Sequence, residues 1–370
     1  MFPHALATLL LCLAGVSCVL HVIALVRLRG RNDAPSGDPG PALTFWRALK
    51  PGIPDFEGKL DALLAASRPS DQILLGVDAK STDTARCEAW IARHPNRNIH
   101  LVRCEADRAA NPKISKFLQM QSSASHPHWL LTDSESLLTQ EFVESIRTEW
   151  VSSGADAVTA GYHFRSLRTV PQILDALPAA VTLWPGLMLT PRVRFTLGAC
   201  TGIRASDLEA VGGWETIAQD LAEDHELGQR LTGQGKTVRL AQAILHLDSD
   251  PMTFADYLRH QHRVAVTYRV ANPAGAAGLV MLHGTPMALL AVALHPQFWP
   301  LALPIVVARS VLAIIEARIA GIPRAILLAP LTPILEGIFW VIAWLPLPVW
   351  WAGQWRRVNS NGRLATRAIA

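Results

Sequence analysis

The sequence predicts an α/β domain on a parallel sheet, set between an N-terminal membrane helix and a group of C-terminal apolar helices. Three observations predict it. From Ala42 to Ala160, short apolar runs of strand length alternate with ~10-residue helical patterns. From Ala5 to Leu28 the chain is apolar apart from His21, Arg27 at its end and small polar residues, roughly the ~20 residues that cross a bilayer as a helix. From Leu279 to Gly353 the only acidic residues are Glu316 and Glu336, whereas Pro51 to Asp256 carries an ordinary mixture of charge.

Composition agrees with that division. Of 370 residues half are hydrophobic and 17% charged, with a mean hydropathy of +0.22. Net charge is +4, and beyond Trp355 the tail is purely basic (Arg356, Arg357, Arg363, Arg367). Such a tail reads as a stop-transfer flank beside anionic lipid headgroups, not as a nucleic-acid arm. Five scattered cysteines without a C-x-x-C pair indicate neither a disulfide framework nor a zinc site, and fit a reducing compartment.

Taken in order, residues 1–30 form an anchor whose arginines (Arg27, Arg29, Arg31) follow the apolar run. A signal peptide would carry its charge ahead of the run. Positive charge on that side places the next domain in the cytoplasm. Residues 31–41, rich in Gly, Pro, Asp and Asn, read as a linker. The domain 42–250 begins with strands at Leu43 to Leu49, Gln72 to Val77, Ile99 to Cys104, Trp129 to Thr132 and Ala157 to Ala160. Helices at Phe56 to Ala66, Thr82 to His94, Ile114 to Ser122 and Thr139 to Trp150 separate them. Ligands of such sheets sit at the carboxyl ends of strands, where Asp78 and Asp133 fall.

Gln172 to Met188 is apolar but broken by Pro178 and Pro185, too broken for a spanning helix. It reads either as an interfacial helix or as a packed loop. Further on come a helix from Asp224 to Thr232, a strand at Thr237 to Leu245 and a basic interfacial helix within 251–277. Membrane helices are expected over 278–355, as apolar blocks at Leu279 to Leu294, Phe298 to Ile315 and Ala325 to Trp351, with a basic tail over 356–370. Four prolines in the last block (Pro330, Pro333, Pro346, Pro348) predict a membrane hairpin or re-entrant segment.

A carboxylate opening a helix, a basic helix after it and an apolar tail behind suggest chemistry between a charged soluble donor and a lipid acceptor. Sugar transfer from a nucleotide sugar needs a pocket for base and ribose, a counter-charge for the departing diphosphate, and a base for the acceptor hydroxyl. Asp133 and Glu135, two residues apart after a buried strand, are oxygen ligands suited to magnesium or manganese. An acidic turn or helix cap explains Asp133-Ser134-Glu135 as well. Asp78 is a candidate for uracil or ribose, or simply a cap at a strand end. Lys113 opens a helix and is either solvated or aimed at phosphate. Asp224 also begins a helix, as a cap or as a general base. Arg263, with Arg259, His260 and His262, reads as a diphosphate clamp or as a membrane-surface helix.

These motifs, in this order, resemble glycosyltransferase family 21, the ceramide glucosyltransferases and their bacterial hopanoid glycosyltransferase relatives. The resemblance rests on Ala110-Asn111-Pro112-Lys113-Ile114-Ser115, Asp133-Ser134-Glu135, Val211-Gly212-Gly213-Trp214, Leu221-Ala222-Glu223-Asp224 and the arginine-bearing helix. It implies a GT-A fold, an inverting mechanism, a UDP-sugar donor with a divalent cation, and a lipid acceptor at the cytoplasmic face of a membrane, a bacterial inner membrane in this case. It makes Asp78 and Asp133 the first two family aspartates, Asp224 the catalytic base, and Arg263 the arginine of a (Q/R)-x-x-R-W signature. Here His260 stands where the family has Gln or Arg, and Val264 where it has Trp.

Three other readings compete. A processive polysaccharide synthase shares the aspartates and the arginine motif but surrounds a pore with more helices than three short apolar blocks supply. A catalytically silent membrane scaffold would keep the fold without the chemistry. A transporter fits poorly with the long soluble stretch between anchor and tail.

Overall fold

The computed structural model of the chain describes residues 2–31, 40–105 and 107–365, so most of the predicted linker lies outside the described residues. Two compact units emerge, and neither is continuous in sequence. One comprises Met1–Arg31, His163–Arg192 and Pro251–Trp355; the other comprises Asn32–Tyr162, Val193–Asp250 and Arg356–Ala370.

The strands in chain order are β1 (Thr44–Ala48), β2 (Gln72–Asp78), β3 (Ile99–Cys104), β4 (His128–Thr132), β5 (Ser136–Leu137), β6 (Ala157–Thr159), β7 (Tyr162–Arg165), β8 (Cys200–Arg204), β9 (Val238–Leu240), β10 (Leu245–Asp248), β11 (Val349–Trp351) and β12 (Gln354–Arg356). In the α/β unit seven strands make one sheet in the order β3-β2-β1-β4-β8-β6-β9. It is parallel except for β8, which runs against both β4 and β6. Because Cys200 pairs with Thr132, β8 starts where β4 ends, and this sets Gly198 and Ala199 beside Asp133. The predicted strand Thr237 to Leu245 is two strands, β9 and β10, and β10 pairs with β5.

Near-continuous apolar strands reflect burial on both faces. One face carries an aromatic core: Trp46 packs on Trp129 at 4.5 Å and on Phe117 at 5.3 Å between ring centres, and Phe117 meets Trp214 at 4.9 Å. Phe117 comes from the helix Pro112–Met120, so the ring stack ties that helix down on the sheet. Gly76 lets Met120 lie against the sheet, since a Cβ there would stand 2.4 Å from Met120 Sδ and push that side chain aside. Alternation puts Arg47 on the opposite face, where it is 1% exposed and donates to Ser136 O at 3.1 Å and Thr132 Oγ1 at 3.3 Å. Burial lowers its pKa to about 10.

The basic tail departs from expectation. Leu221 N donates to Gly362 O at 3.0 Å, Leu364 N to Gln219 O at 2.8 Å, and Arg356 Nη1 to Ala110 O at 3.3 Å. Leu364 is buried. Backbone hydrogen bonding and one anchoring leucine therefore hold residues 356–365 on the α/β unit, where charge alone suggested a lipid-facing flank; Arg367 lies outside the described residues.

In the helical unit, four helices are long and apolar enough to cross a membrane: Pro3–Arg29, Val170–Leu189, Pro296–Ile319 and Ile326–Ala343. A pair, Pro273–Leu282 and Gly284–Leu294, is bent by 69°. The prolines predicted to break 172–188 do not. The run stays helical through a π-turn at Ala179–Leu183, which absorbs the missing donor of Pro185. The last apolar block, predicted as a membrane hairpin, is one helical run followed by the short β11–β12 hairpin, and Pro346 and Pro348 fall in the connection. Small residues let these helices approach closely: Ala313, Ala317 and Ala320 pack on Ile173, Leu177 and Val181, and a Cβ on Gly284 would lie 2.8 Å from Ser17 Cβ. Ionisable groups inside the unit pair with each other. His21 Nδ1 lies 2.6 Å from Glu316 Oε1, and Arg309 Nη1 lies 3.6 Å from Glu316 Oε2.

Candidate active site

The chain leaves β1 for β2 and β3 on one side and returns to β4 on the other, so the sheet's switch point lies between β1 and β4. Their carboxyl ends deliver Lys50 from the first and Asp133-Ser134-Glu135 from the second. Two helix starts face the same edge. Asn111 caps one of them, accepting from Lys113 N at 3.0 Å and Ile114 N at 3.4 Å, with Pro112 in the first turn. The other is the helix Glu223–Gly233. It packs tightly because Gly228 has no side chain: a Cβ would stand 2.2 Å from Phe195 Cα.

Lys113 is the hub. Its ammonium donates to Gly198 O at 2.9 Å and lies 2.7 Å from Asp133 Oδ1 and 3.6 Å from Glu223 Oε1. Asn111 Nδ2 donates to Glu223 Oε2 at 3.0 Å. Asp224 is held differently: its Oδ2 accepts from Gly198 N at 2.6 Å, its Oδ1 from His225 N at 2.8 Å, and its carbonyl from Thr196 Oγ1 at 2.7 Å. Gly198 makes this approach possible, since a Cβ there would lie 3.2 Å from Asp224 Oδ2 and 3.5 Å from Lys113 Nζ. Lys113, Gly198, Glu223, Asp224, Thr196 and Trp214 line a shared pocket at this edge.

Electrostatics follow from crowding acids under a few cations. Burial pushes the Glu223 carboxyl up to about 7; Lys113 opposes the rise, and Asp224 and Asp133 add to it. Asp133 is raised by burial, against the pull of Lys113. For Lys113 burial favours the neutral amine, but Asp133 and Glu223 outweigh it and raise its pKa. Beside this hub, Lys50 pairs with both Glu135 and Asp250. Burial would raise Glu135, but Lys50 and the Ser134 hydroxyl hold it below the usual carboxylate range.

Of the residues singled out in the sequence, Lys113 and Asp224 line this pocket, and Asp133 joins them through its contact with Lys113. Glu135 sits at its edge with one oxygen on Lys50 and the other accepting from Ser134 Oγ at 2.8 Å. Asp78 stands apart. It ends β2, two strands from β4 and so about 10 Å across the sheet, and it accepts from Lys80 N at 3.0 Å. His260 and Arg263 belong to the helical unit, on the helix Phe254–Ala271. There His260 Nδ1 lies 2.6 Å from Asp175 Oδ1, beside Gln261 Nε2, which donates to the same oxygen at 2.8 Å. Sequence reasoning missed Glu223, Lys50 and Gly198. Lys50 was signalled by its place directly after a strand, ahead of Pro51-Gly52. Glu223 was hidden beside Asp224, because consecutive helical residues normally face apart.

Among the described residues no three His, Cys, Asp or Glu side chains make a ready metal cage. The donor set nevertheless fits a hard cation. Asp133 and Glu135 keep 35% and 28% of their side chains accessible, and the carboxylates here (Asp133, Glu135, Glu223, Asp224, Asp250) outnumber their lysine partners Lys50 and Lys113. A magnesium or manganese ion is commonly held by one or two carboxylates with substrate phosphates completing the shell.

A sheet of this order, with an acidic turn at the switch point and a second acid at a helix start, defines a GT-A-type glycosyltransferase. A similar fold is seen in the mannosyltransferase PcManGT from Pyrobaculum calidifontis, solved with GDP-Man and Mn2+: TM-score 0.58, 16% identity, covering 92% of this chain and 97% of that one. The S. aureus TarS 1–349 structure with UDP-GlcNAc also aligns, at TM-score 0.42 and 15% identity, over 89% of this chain and 100% of that one. No curated protein sequence matches. The model of glycosyl transferase family 21 matches residues 8–364, and the chain belongs to that family.

Proposed function

We propose that the protein is an inverting transferase that moves glucose or N-acetylglucosamine from a UDP-sugar to a hydroxyl of a membrane lipid, ceramide first and a hopanoid second, at the cytoplasmic face. The observation that carries this reading is the pocket at the switch point. There one carboxylate, Asp224, is oriented by two backbone N–H groups, and an ammonium, Lys113, lies among acids at the start of a capped helix. Asp224 takes the proton of the acceptor hydroxyl, which attacks the anomeric carbon opposite the leaving diphosphate. Lys113 and the positive start of the helix Pro112–Met120 stabilise the charge on that diphosphate. Asp133, with Glu135 beside it, would hold the divalent cation, which neutralises the same charge. Asp78, further along the carboxyl edge, is assigned to the nucleoside end. Arg263 and His260 are assigned to the diphosphate. Family membership and the apolar helices support a membrane-borne acceptor.

Glu223 is a second candidate for the base, favoured by one observation: burial brings its carboxyl up to about 7, where proton transfer at neutral pH is most effective. Asp224→Asn and Glu223→Gln, assayed in membranes for UDP-sugar turnover, separate the two. A loss on the order of 10²–10⁴-fold from Asp224→Asn, with a smaller loss from Glu223→Gln, supports the assignment to Asp224. Near-normal turnover by Asp224→Asn rejects it.

A further inference from the structure

The helical unit carries its positive charge in one form. Within Met1–Arg31, His163–Arg192 and Pro251–Trp355 every cationic side chain other than histidine is an arginine, and the acids are Asp175, Asp256, Glu316 and Glu336 alone. Two of those acids are engaged inside the unit, Asp175 with His260 and Glu316 with His21, each at 2.6 Å. Guanidinium groups in excess over carboxylates favour phosphate oxygens, which their planar fork meets with two parallel N–H bonds.

Four of these arginines collect where two segments meet. The helix Trp299–Ile319 runs into a turn over 320–324 that leads to the next candidate span. Ile322 in that turn is buried, its N–H donates to Ala317 O at 3.0 Å, and Phe164 and Leu167 pack against the cluster that holds it. Arg165 ends β7 and Arg168 follows in the loop. A Cβ on Gly321 would lie 3.2 Å from Arg165 Nη1, so this guanidinium rests on the turn itself. Arg318 and Arg324 flank Gly321 at equal spacing in the chain, and all four arginines are exposed. Among the described residues no carboxylate lies within ion-pair distance of Arg168, Arg318 or Arg324. Neither 161–174 nor 317–335 contains an acid. Like charges gathered in this way repel one another, and an anion seated among them turns that repulsion into attraction. The capped helix Val170–Pro178 starts at the same loop and adds the positive end of its dipole. Ser166 and Arg324 hold positive φ, 57° and 54°, without being glycine, a strained geometry of the kind found at ligand clamps.

The surroundings identify what carries the anion. Arg318 precedes the last residue of the candidate span Pro296–Ile319, and Arg324 stands just ahead of the span Ile326–Ala343. Both therefore fall at the depth where the phosphates of a bilayer meet its hydrocarbon. Beside them Ile326 and Leu327 are 54% and 73% exposed, an apolar surface suited to acyl chains and not to water. We propose that this arginine turn binds the phosphodiester of an anionic glycerophospholipid. Arg165, Arg318 and Arg324 donate to its oxygens, and Ile326 and Leu327 lie against its chains. The lipid is a bound partner and not a substrate, since none of these residues lines the pocket of Lys113 and Asp224. The inference goes beyond the proposed transfer and holds whichever sugar and acceptor are used.

The test uses the full-length protein in neutral detergent micelles and measures binding of a fluorescent phosphatidylglycerol. Phosphatidylcholine with the same chains is the comparison, because the arginines repel its choline cation. Wild type binds phosphatidylglycerol about tenfold more tightly, or better. Arg324→Gly suits the positive φ, so it removes the guanidinium and keeps the turn. That variant and Arg318→Gln each weaken phosphatidylglycerol about fivefold, and together about 25-fold. The thermal midpoint of Arg324→Gly does not fall below that of wild type, which separates loss of the site from loss of the fold. Arg29→Gln, at the end of the N-terminal helix and outside the turn, changes the affinity less than about twofold. Equal binding of the two lipids by wild type, or unchanged phosphatidylglycerol affinity in the double variant, overturns the proposal. A loss in Arg29→Gln as large as in Arg324→Gly also overturns it, since bulk positive charge would then account for the attraction. Displacement of the labelled lipid by millimolar inorganic phosphate assigns the arginines to a soluble anion and overturns it as well.

Discussion

Replacing Glu223 with glutamine removes an acid of the pocket whose titration falls near neutrality. In the folded chain burial carries this carboxyl from 4.5 to about 7, so the buried anion is disfavoured by about 3 kcal/mol relative to the unfolded chain. Glu223 holds its proton more tightly folded than unfolded. Its contribution to stability is therefore complete below pH 4.5 and lost as pH rises through 7. The amide of Glu223→Gln is neutral throughout and keeps its hydrogen bond to Asn111. Measured by tryptophan fluorescence during thermal unfolding, wild type should lose ground to the variant between pH 5 and pH 8. About 3 kcal/mol corresponds to a relative shift on the order of 6–12 °C, most of it between pH 5 and 7, where the unfolded carboxyl is ionised and the folded one is not. Comparing the two proteins cancels every other titration in that window. A difference that stays flat from pH 5 to pH 8 would refute the argument, since Glu223 would then ionise alike in both states.

Two other outcomes follow from the same pocket. Gly228→Ala forces Phe195 and the start of the helix Glu223–Gly233 apart, because its Cβ would lie 2.2 Å from backbone. We expect a loss of about 1–3 kcal/mol by chemical denaturation together with a large fall in turnover as Asp224 leaves Gly198; a variant of wild-type stability would show that the contact gives freely. Stripping divalent cations with a chelator should abolish turnover, and manganese or magnesium should restore it. In Asp133→Asn the cation concentration needed for half-restoration should rise about 10–100-fold, and an unchanged requirement would remove Asp133 from the cation site.

Most of the sheet could be read from the chain, because strands buried on both faces leave uninterrupted apolar runs bounded by turn residues, as at Gln72–Asp78 and His128–Thr132. The direction of β8 could not be read, since strand polarity is decided by where the preceding segment re-enters, which no local pattern encodes. Carboxylates at strand ends and helix starts drew attention to Asp133 and Asp224. Lys113 stood out with them at its helix start, but Lys50 did not, because a lysine in a turn looks solvated until the tertiary fold sets acids such as Glu135 and Asp250 around it. Proline misled twice. Pro178 and Pro185 sit inside a continuous run because a π-turn accommodates them, and Pro346 and Pro348 mark the end of a helix, not its reversal. The tail misled through charge, since its arginines are conspicuous and its single buried leucine is not.

That tail constrains how the protein threads its bilayer. Residues 193–250 and the stretch around Leu364 sit on one folded body, so the polypeptide between them departs from and comes back to the same aqueous compartment. Complete traversals over 251–355 must then be even in number. Pro296–Ile319 and Ile326–Ala343 are each long and apolar enough to supply one such pair. By the same count Val170–Leu189, with Tyr162 and Val193 both on that body, does not cross by itself, however oily its sequence.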